Sequence, residues 1–298
     1  MASVFQSLEE KGLLKSPPKF LSTNVQYEVI MGSVAYGVSE DHSDMDVYGF
    51  AIPPRDMVFP HLQGYLHGFD PEFESFNQFQ QHHIEDKNAL GGKGRKYDIT
   101  IYSIVKYFRL LADCNPNIID SLFVPRRCVL YTTAIGEMIR ERRKLFLHKG
   151  CWATFKGYAY TQMHKMKIKQ PEGKRVHLVE EFGYDVKFAY HVVRLLNEVE
   201  QIMAEENLEL DRNSDQLKAI RRGDWTQEQV ENYFFEKEKH LEYLYLQSRL
   251  PAQPDTAAIK ILLLNCLEQH YGSLDAVIQV ADKYTQAVKD IQKIIDKL

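Results

Sequence analysis

The chain reads as an α+β protein, a small mixed-sheet unit followed by an all-helical part. Three observations predict this. Two apolar, β-branched runs, Val25–Met31 and Met45–Ile52, lie near the N-terminus and end at glycine or proline. Beyond Pro125 the long segments repeat their apolar residues at helical spacing. Strands are too few for a doubly wound sheet, which needs them to alternate with helices. The boundary is expected near residue 125, dividing 1–125 from 126–298.

In order along the chain, Val25–Met31 forms a first strand stopped by Gly32. Met45–Ile52 alternates and forms a second, stopped by Pro53-Pro54. From Arg55 to Lys96 the pattern weakens. Gly64, Gly68, the Gln/His-rich run Asn77–His83 and Gly91-Gly92-Lys93-Gly94 predict long loops with short elements. His82-His83 with Glu85 and Asp86 has metal-ligand character, but a polar loop is the plainer reading. Lys96–Ile101 alternates as a third strand. Tyr102–Cys114 is helical, and Asn115-Pro116-Asn117 breaks it. Helical periodicity then covers 132–148, 152–169, 184–207, 227–248 and 256–270, with a last helix or pair expected over 274–298.

Lys and Arg number 37 against 41 Asp and Glu, a net charge of −4. That excludes a uniformly basic nucleic-acid coat. The charge is segregated, however: residues 126–175 carry +10 and the rest −14. Such a region attracts phosphates; a set of solvated helix faces is the plainer explanation. The four cysteines, Cys114, Cys128, Cys151 and Cys266, form no Cys-x-x-Cys pair, and a chain of this length needs no disulfide to hold its fold. Neither a secretory signal nor a membrane span is read, so a cytoplasmic, reducing setting is expected.

The chemistry concentrates in Val29–Phe50. A strand ends at Gly32-Ser33; after a short interval Asp44-Met45-Asp46 opens the next strand. Residues i and i+2 of a strand share a face, so Asp44 and Asp46 present two carboxylates side by side. Like charges that close resist joint ionisation unless a cation neutralises them. Oxygen-only ligands suit Mg²⁺, and less often Mn²⁺. Gly32 permits close backbone approach, and Ser33 offers a hydroxyl beside N–H groups that can hold a phosphate. Asp-x-Asp alone is commonly a turn or a strand edge; its combination with the Gly-Ser turn is the specific signal.

Gly32-Ser33-Val34-Ala35-Tyr36-Gly37 followed by Ser43-Asp44-Met45-Asp46-Val47-Tyr48-Gly49 resembles the nucleotidyltransferase signature of the DNA polymerase β superfamily, and within it the RNA-repair-pathway (RlaP-like) branch. Cys114-Asn115-Pro116-Asn117-Ile118-Ile119 with Leu122-Phe123, Gly157-Tyr158-Ala159, Gly183-Tyr184-Asp185-Val186-Lys187 running to His191 and Arg194, and Leu250-Pro251 are similar to that branch too. The resemblance implies a third carboxylate on a later strand. Asp98, in Tyr97-Asp98-Ile99, fits that place, as a metal ligand or the base for the attacking hydroxyl; an ordinary strand-start Asp is the rival.

Lys187, His191 and Arg194, at i, i+4 and i+7, share one helix face. Beside an α/β site such a stripe holds β- and γ-phosphates, and Tyr184 would stack on the base; a solvated stripe paired with Glu180 or Glu181 is the alternative. The expected activity is transfer of a nucleoside monophosphate from an NTP to an acceptor hydroxyl, with pyrophosphate leaving. Asp44, Asp46 and Asp98 would bind Mg²⁺; Gly32, Ser33, Tyr184, Lys187, His191 and Arg194 would hold the nucleotide. The branch implies an RNA acceptor, tRNA included. A protein side chain or a small molecule such as an aminoglycoside would use the same site, and a non-catalytic nucleotide- or RNA-binding module is the reading of another class.

Overall fold

The computed structural model describes residues 3–39, 44–73, 75–171, 173, 175–274, 291 and 294–295. Its strands are β1 (Val25–Ile30), β2 (Met45–Ala51), β3 (Gln78–Asp86), β4 (Arg95–Ser103) and β5 (Val129–Thr132). They form one mixed sheet in the order β3-β4-β2-β1-β5. β2 and β4 run parallel; β1–β2, β1–β5 and β3–β4 are antiparallel. The helices are α1 (Val4–Glu10), α2 (Leu21–Asn24), α3 (Arg55–Val58), α4 (Ala89–Gly92), α5 (Ile104–Ala112), α6 (Pro116–Phe123), α7 (Ala134–Glu141), α8 (Gly150–Ile168), α9 (Arg175–Phe182), α10 (Val186–Glu205), α11 (Ser214–Arg221), α12 (Gln227–Gln247) and α13 (Thr256–Tyr271). The fold is α+β, with the sheet formed almost wholly from the N-terminal part.

Each sheet face has its own core, as the alternation of strand side chains requires. On one face Val47, Ala51, Ile99 and Ile101 pack with Phe5 and Leu8 of α1. On the other, Tyr27, Val29 and Phe50 join a core that continues through α5, α6, α8 and α10. α10 is the centre of the helical part: Asp185 caps it, accepting from the N–H groups of Lys187 and Phe188, and most of its residues are buried.

Three expectations change. The Asn77–His83 run is not a loop but most of β3, an edge strand whose polar residues face solvent. Asn115-Pro116 does end α5, and it also starts α6, with the Asn115 side chain capping Ile118 N–H and Pro116 in the first turn. β5 lies past residue 125 yet pairs with β1. The helix expected over 274–298 falls, but for residues 274, 291, 294 and 295, outside the described residues.

The cysteines show a pairing that the sequence did not suggest. Cys114 and Cys151 form a disulfide that joins the end of α5 to the start of α8. A separation of 37 residues hides this closeness, which the packing of α6 against α8 produces. His148 lies beside the pair. Among the described residues, Cys114, His148 and Cys151 are the one set of three metal-type side chains whose donor atoms all lie within 4.8 Å of one another. The sulfurs are bonded to each other, while His148 Nδ1 accepts from Gly150 N–H at 3.1 Å and Nε2 faces Ala112 O at 2.9 Å. This set reads as structural. No helix among the described residues is long and apolar enough to cross a membrane.

Candidate active site

β1 delivers the chain to a tight turn that sits beside the first residues of β2. Met31 N–H donates to Asp46 O at 2.7 Å, and Val38 N–H closes the turn onto Ser33 O at 2.8 Å. Gly32 has φ +68°, and a side-chain carbon there would overlap Oδ2 of Asp46. Only glycine lets backbone and carboxylate approach this closely. Ser33, next in the turn, is half-buried.

The parallel pairing of β2 and β4 sets Asp46 directly beside Asp98. Both point to the sheet face that carries Phe50, toward the helical part. Asp44 is exposed, just ahead of β2. The carboxyl of Asp46 is pushed up to about 6, chiefly by burial, then by the charges of Asp98 and Asp44, against an opposing contribution from His82. The three aspartates stand at wider spacing than the cysteine–histidine set.

These residues fit a divalent cation. The donors are all oxygens, Asp46 is strained by its like-charged neighbours, and the Gly32 cradle leaves its Oδ2 open to the turn. Tyr48, two residues along the same face, has its phenol raised by burial and then by Asp46. Its ring lies 6.2 Å from that of Tyr102, and exposed Tyr158, which accepts from Asn115 Nδ2 at 3.2 Å, is near enough to act on both phenols. Sequence reasoning noted Tyr158 but did not bring Tyr48 and Tyr102 beside it, because the three come from β2, β4 and α8.

The helical candidates divide. Lys187 is exposed in the first turn of α10. His191 is half-buried, and its imidazole is held well below its ordinary pKa by burial, then by Arg194, Arg175, Lys187 and Arg221. It is therefore a neutral group among four cations rather than a fifth charge. Arg175 and Arg221, not foreseen, reach this cluster from α9 and α11.

Arg194 and Tyr184 have other occupations. Arg194 is buried: Nη1 pairs with Asp120 Oδ2 at 2.5 Å and with the Glu198 carboxylate at 2.9 and 3.0 Å, and donates to Tyr36 OH at 2.8 Å. Tyr36 OH in turn donates to Asp120 Oδ2 at 2.8 Å. Because Tyr36 belongs to the Gly32–Gly37 turn, Arg194 anchors that turn from behind. Tyr184 is buried and donates to Trp225 O at 2.6 Å, so its ring is packing, not a free stacking face. The spacing i, i+4, i+7 carried no information on what packs against each residue.

Asp98 has partners that the sequence did not suggest. His83 N–H donates to Oδ1 at 2.7 Å, and His82 Nδ1 lies 3.2 Å from Oδ2. The His82-His83 pair is thus part of the site's surroundings rather than of a polar loop.

The basic stretch 126–175 is less available than its sum suggests. Arg126, Arg127, Lys156, Lys167 and Arg175 are each paired with an acid.

Residues 14–262 match the family model described as RlaP, the RNA repair pathway DNA polymerase beta family. No curated protein matches the chain. Among solved structures, the crystal structure of a nucleotidyltransferase-like protein from Exiguobacterium sibiricum is similar at 8% identity, covering 81% of this chain and 73% of that one, with a TM-score of 0.28.

Proposed function

The chain belongs to the RNA repair pathway DNA polymerase beta family, and from that premise we propose that it transfers a nucleoside monophosphate from an NTP to a hydroxyl on an RNA end. Membership itself indicates a nucleotidyltransferase of the polymerase β type. The observation that carries the finer reading is the lateral pair Asp46–Asp98 set against the Gly32-Ser33 turn.

In this reading the acceptor oxygen attacks the α-phosphorus. A new P–O bond forms, the bond to the bridging α–β oxygen breaks, and pyrophosphate leaves. Asp98 takes the proton of the attacking hydroxyl. The N–H groups of the turn and the Ser33 hydroxyl hold the triphosphate, with Lys187 facing its outer phosphates. Asp44, Asp46 and Asp98 would hold Mg²⁺, or Mn²⁺, which when bound neutralises the triphosphate and eases ionisation of the acceptor. Arg194 keeps the turn in place. Residues 1–125 supply the chemistry, and the helical part holds the substrate. The family description supports an RNA acceptor; a cytoplasmic setting agrees with an RNA substrate.

The test is incubation with each of the four labelled NTPs, Mg²⁺ and tRNA, other RNA or protein acceptors. Label on RNA that is lost in Asp46→Asn supports the reading. Label only on protein moves the acceptor. No label on any acceptor leaves a binding module.

A further inference from the structure

The polar run along β3 has a directed order. Gln78, Gln80 and His82 lie on one face of this edge strand. Lys106 Nζ donates to Gln78 Oε1 at 2.9 Å, and Gln78 Nε2 donates to Gln80 Oε1 at 3.1 Å. The Gln80 amide nitrogen lies 2.7 Å from His82 Nε2. An amide nitrogen has only hydrogens to give, so Nε2 accepts and the proton of the neutral imidazole sits on Nδ1. That nitrogen faces Asp98 Oδ2 at 3.2 Å. Each group donates to the next from Lys106 to His82, whose Nδ1 faces Asp98, and donors aligned head to tail polarise one another.

The strand is deformed where this chain of donors ends. Pairing with β4 slips between Gln81 and Ile84, and His83 adopts φ +55°. A bulge re-aims the residues it carries. Here it turns the His83 N–H onto Oδ1 while the His82 ring reaches Oδ2. Asp98 therefore accepts a hydrogen bond from His83 N–H on Oδ1 and has the His82 imidazole 3.2 Å from Oδ2. An ionised carboxylate has about four lone-pair sites, so each oxygen keeps one for a cation.

We propose that His82 is a positioning residue of the active site: its Nδ1–H, set by Gln80, fixes the Asp98 carboxylate for cation binding. The proposal rests on the reading of Asp98 as a metal ligand. Donors behind ligating groups orient them and tune their affinity. The Gln/His composition of the run then has a physical reason, since apolar residues at 78, 80 and 82 would leave Asp98 without its directed donor.

The experiment is titration of the full chain with Mn²⁺ alone, followed by the free-ion electron paramagnetic resonance signal, for wild type, His82→Ala, His82→Asn and Asp98→Ala. The Asn side chain keeps an N–H near the place of Nδ1–H. His82→Ala is expected to weaken Mn²⁺ binding about tenfold, and His82→Asn to retain most of the affinity. Wild-type affinity in His82→Ala, with Asp98→Ala weakened, overturns the positioning role and leaves the site reading standing. Equal loss in His82→Ala and His82→Asn also overturns it. Spin-echo modulation from an imidazole nitrogen bonded to the Mn²⁺ would make His82 a ligand instead. Wild-type affinity in Asp98→Ala removes Asp98 as a ligand, and both readings fall.

Discussion

A side-chain carbon on Gly32 would overlap Oδ2 of Asp46. The Gly32-Ser33 turn and the carboxylate are thus in close approach. Gly32→Ala must move one or the other and must hold φ +68° against its own Cβ. It is expected to cost about 1–3 kcal/mol of stability and about 100-fold in transfer, since small misplacements at a reacting centre are that expensive. Thermal unfolding and labelled-NTP turnover check both; near-wild-type turnover would remove the turn from the mechanism.

Asp46 carries a stability cost that depends on pH. With its carboxyl raised to about 6 from an ordinary 3.8, the folded state binds more protons than the unfolded chain between those values. Its contribution to stability therefore declines as pH rises through that window, and the full penalty stands above it. Asp46→Asn is expected to melt higher than wild type at pH 8 in EDTA, with the gain shrinking toward pH 4. Its transfer activity is expected to fall by about 100-fold or more. A lower melting temperature at pH 8 would contradict the electrostatic account.

Arg194 and Lys187 share a helix face and should separate by phenotype. Arg194→Ala leaves Asp120 and Glu198 buried without their cation, a change worth about 3–5 kcal/mol. Lys187→Ala, on an exposed residue, is expected to leave the melting temperature unchanged and to raise KM for the NTP about tenfold. Calorimetry and steady-state kinetics on both variants test this; a stable, low-affinity Arg194→Ala would return that residue to the phosphate site.

Glu28 gives a second pH dependence, on the strand beside β2. Its fully buried carboxyl accepts from Val4 N–H at 2.6 Å and Phe5 N–H at 2.9 Å. Burial pushes it up to about 7 from 4.5, outweighing the two N–H donors. The folded state gains a proton relative to the unfolded between these values, so stability falls as pH rises through them. The advantage of wild type over Glu28→Gln is expected to shrink by up to about 3 kcal/mol between pH 5 and pH 8. A gap that stays constant with pH would remove the ionisation from the account.

The legible parts of this fold are those whose burial leaves a period in the sequence. β1, β2 and β4 each show apolar residues toward at least one core, and the family match accords with the superfamily that Gly32-Ser33 and Asp44-Met45-Asp46 suggested. β3 stayed hidden because Gln80, His82 and His83 are exposed on a sheet edge. β5 is only four half-buried residues. The occupation of Arg194 was not legible either, since Asp120 lies 74 residues away and meets it only when α6 and α10 pack. Asp98 could be placed by its strand, but its donors arrive through a bulge, which leaves no periodic trace.

The short strand β5 sits past residue 125 and covers the outer edge of β1. A chain cut between the two nominal parts would uncover a row of unpaired N–H and C=O groups along β1, next to apolar Tyr27 and Val29. Such an edge recruits other strands. An isolated N-terminal fragment would therefore meet its limit as self-association during expression, and a fragment boundary placed after α7 rather than at residue 125 would keep that edge paired.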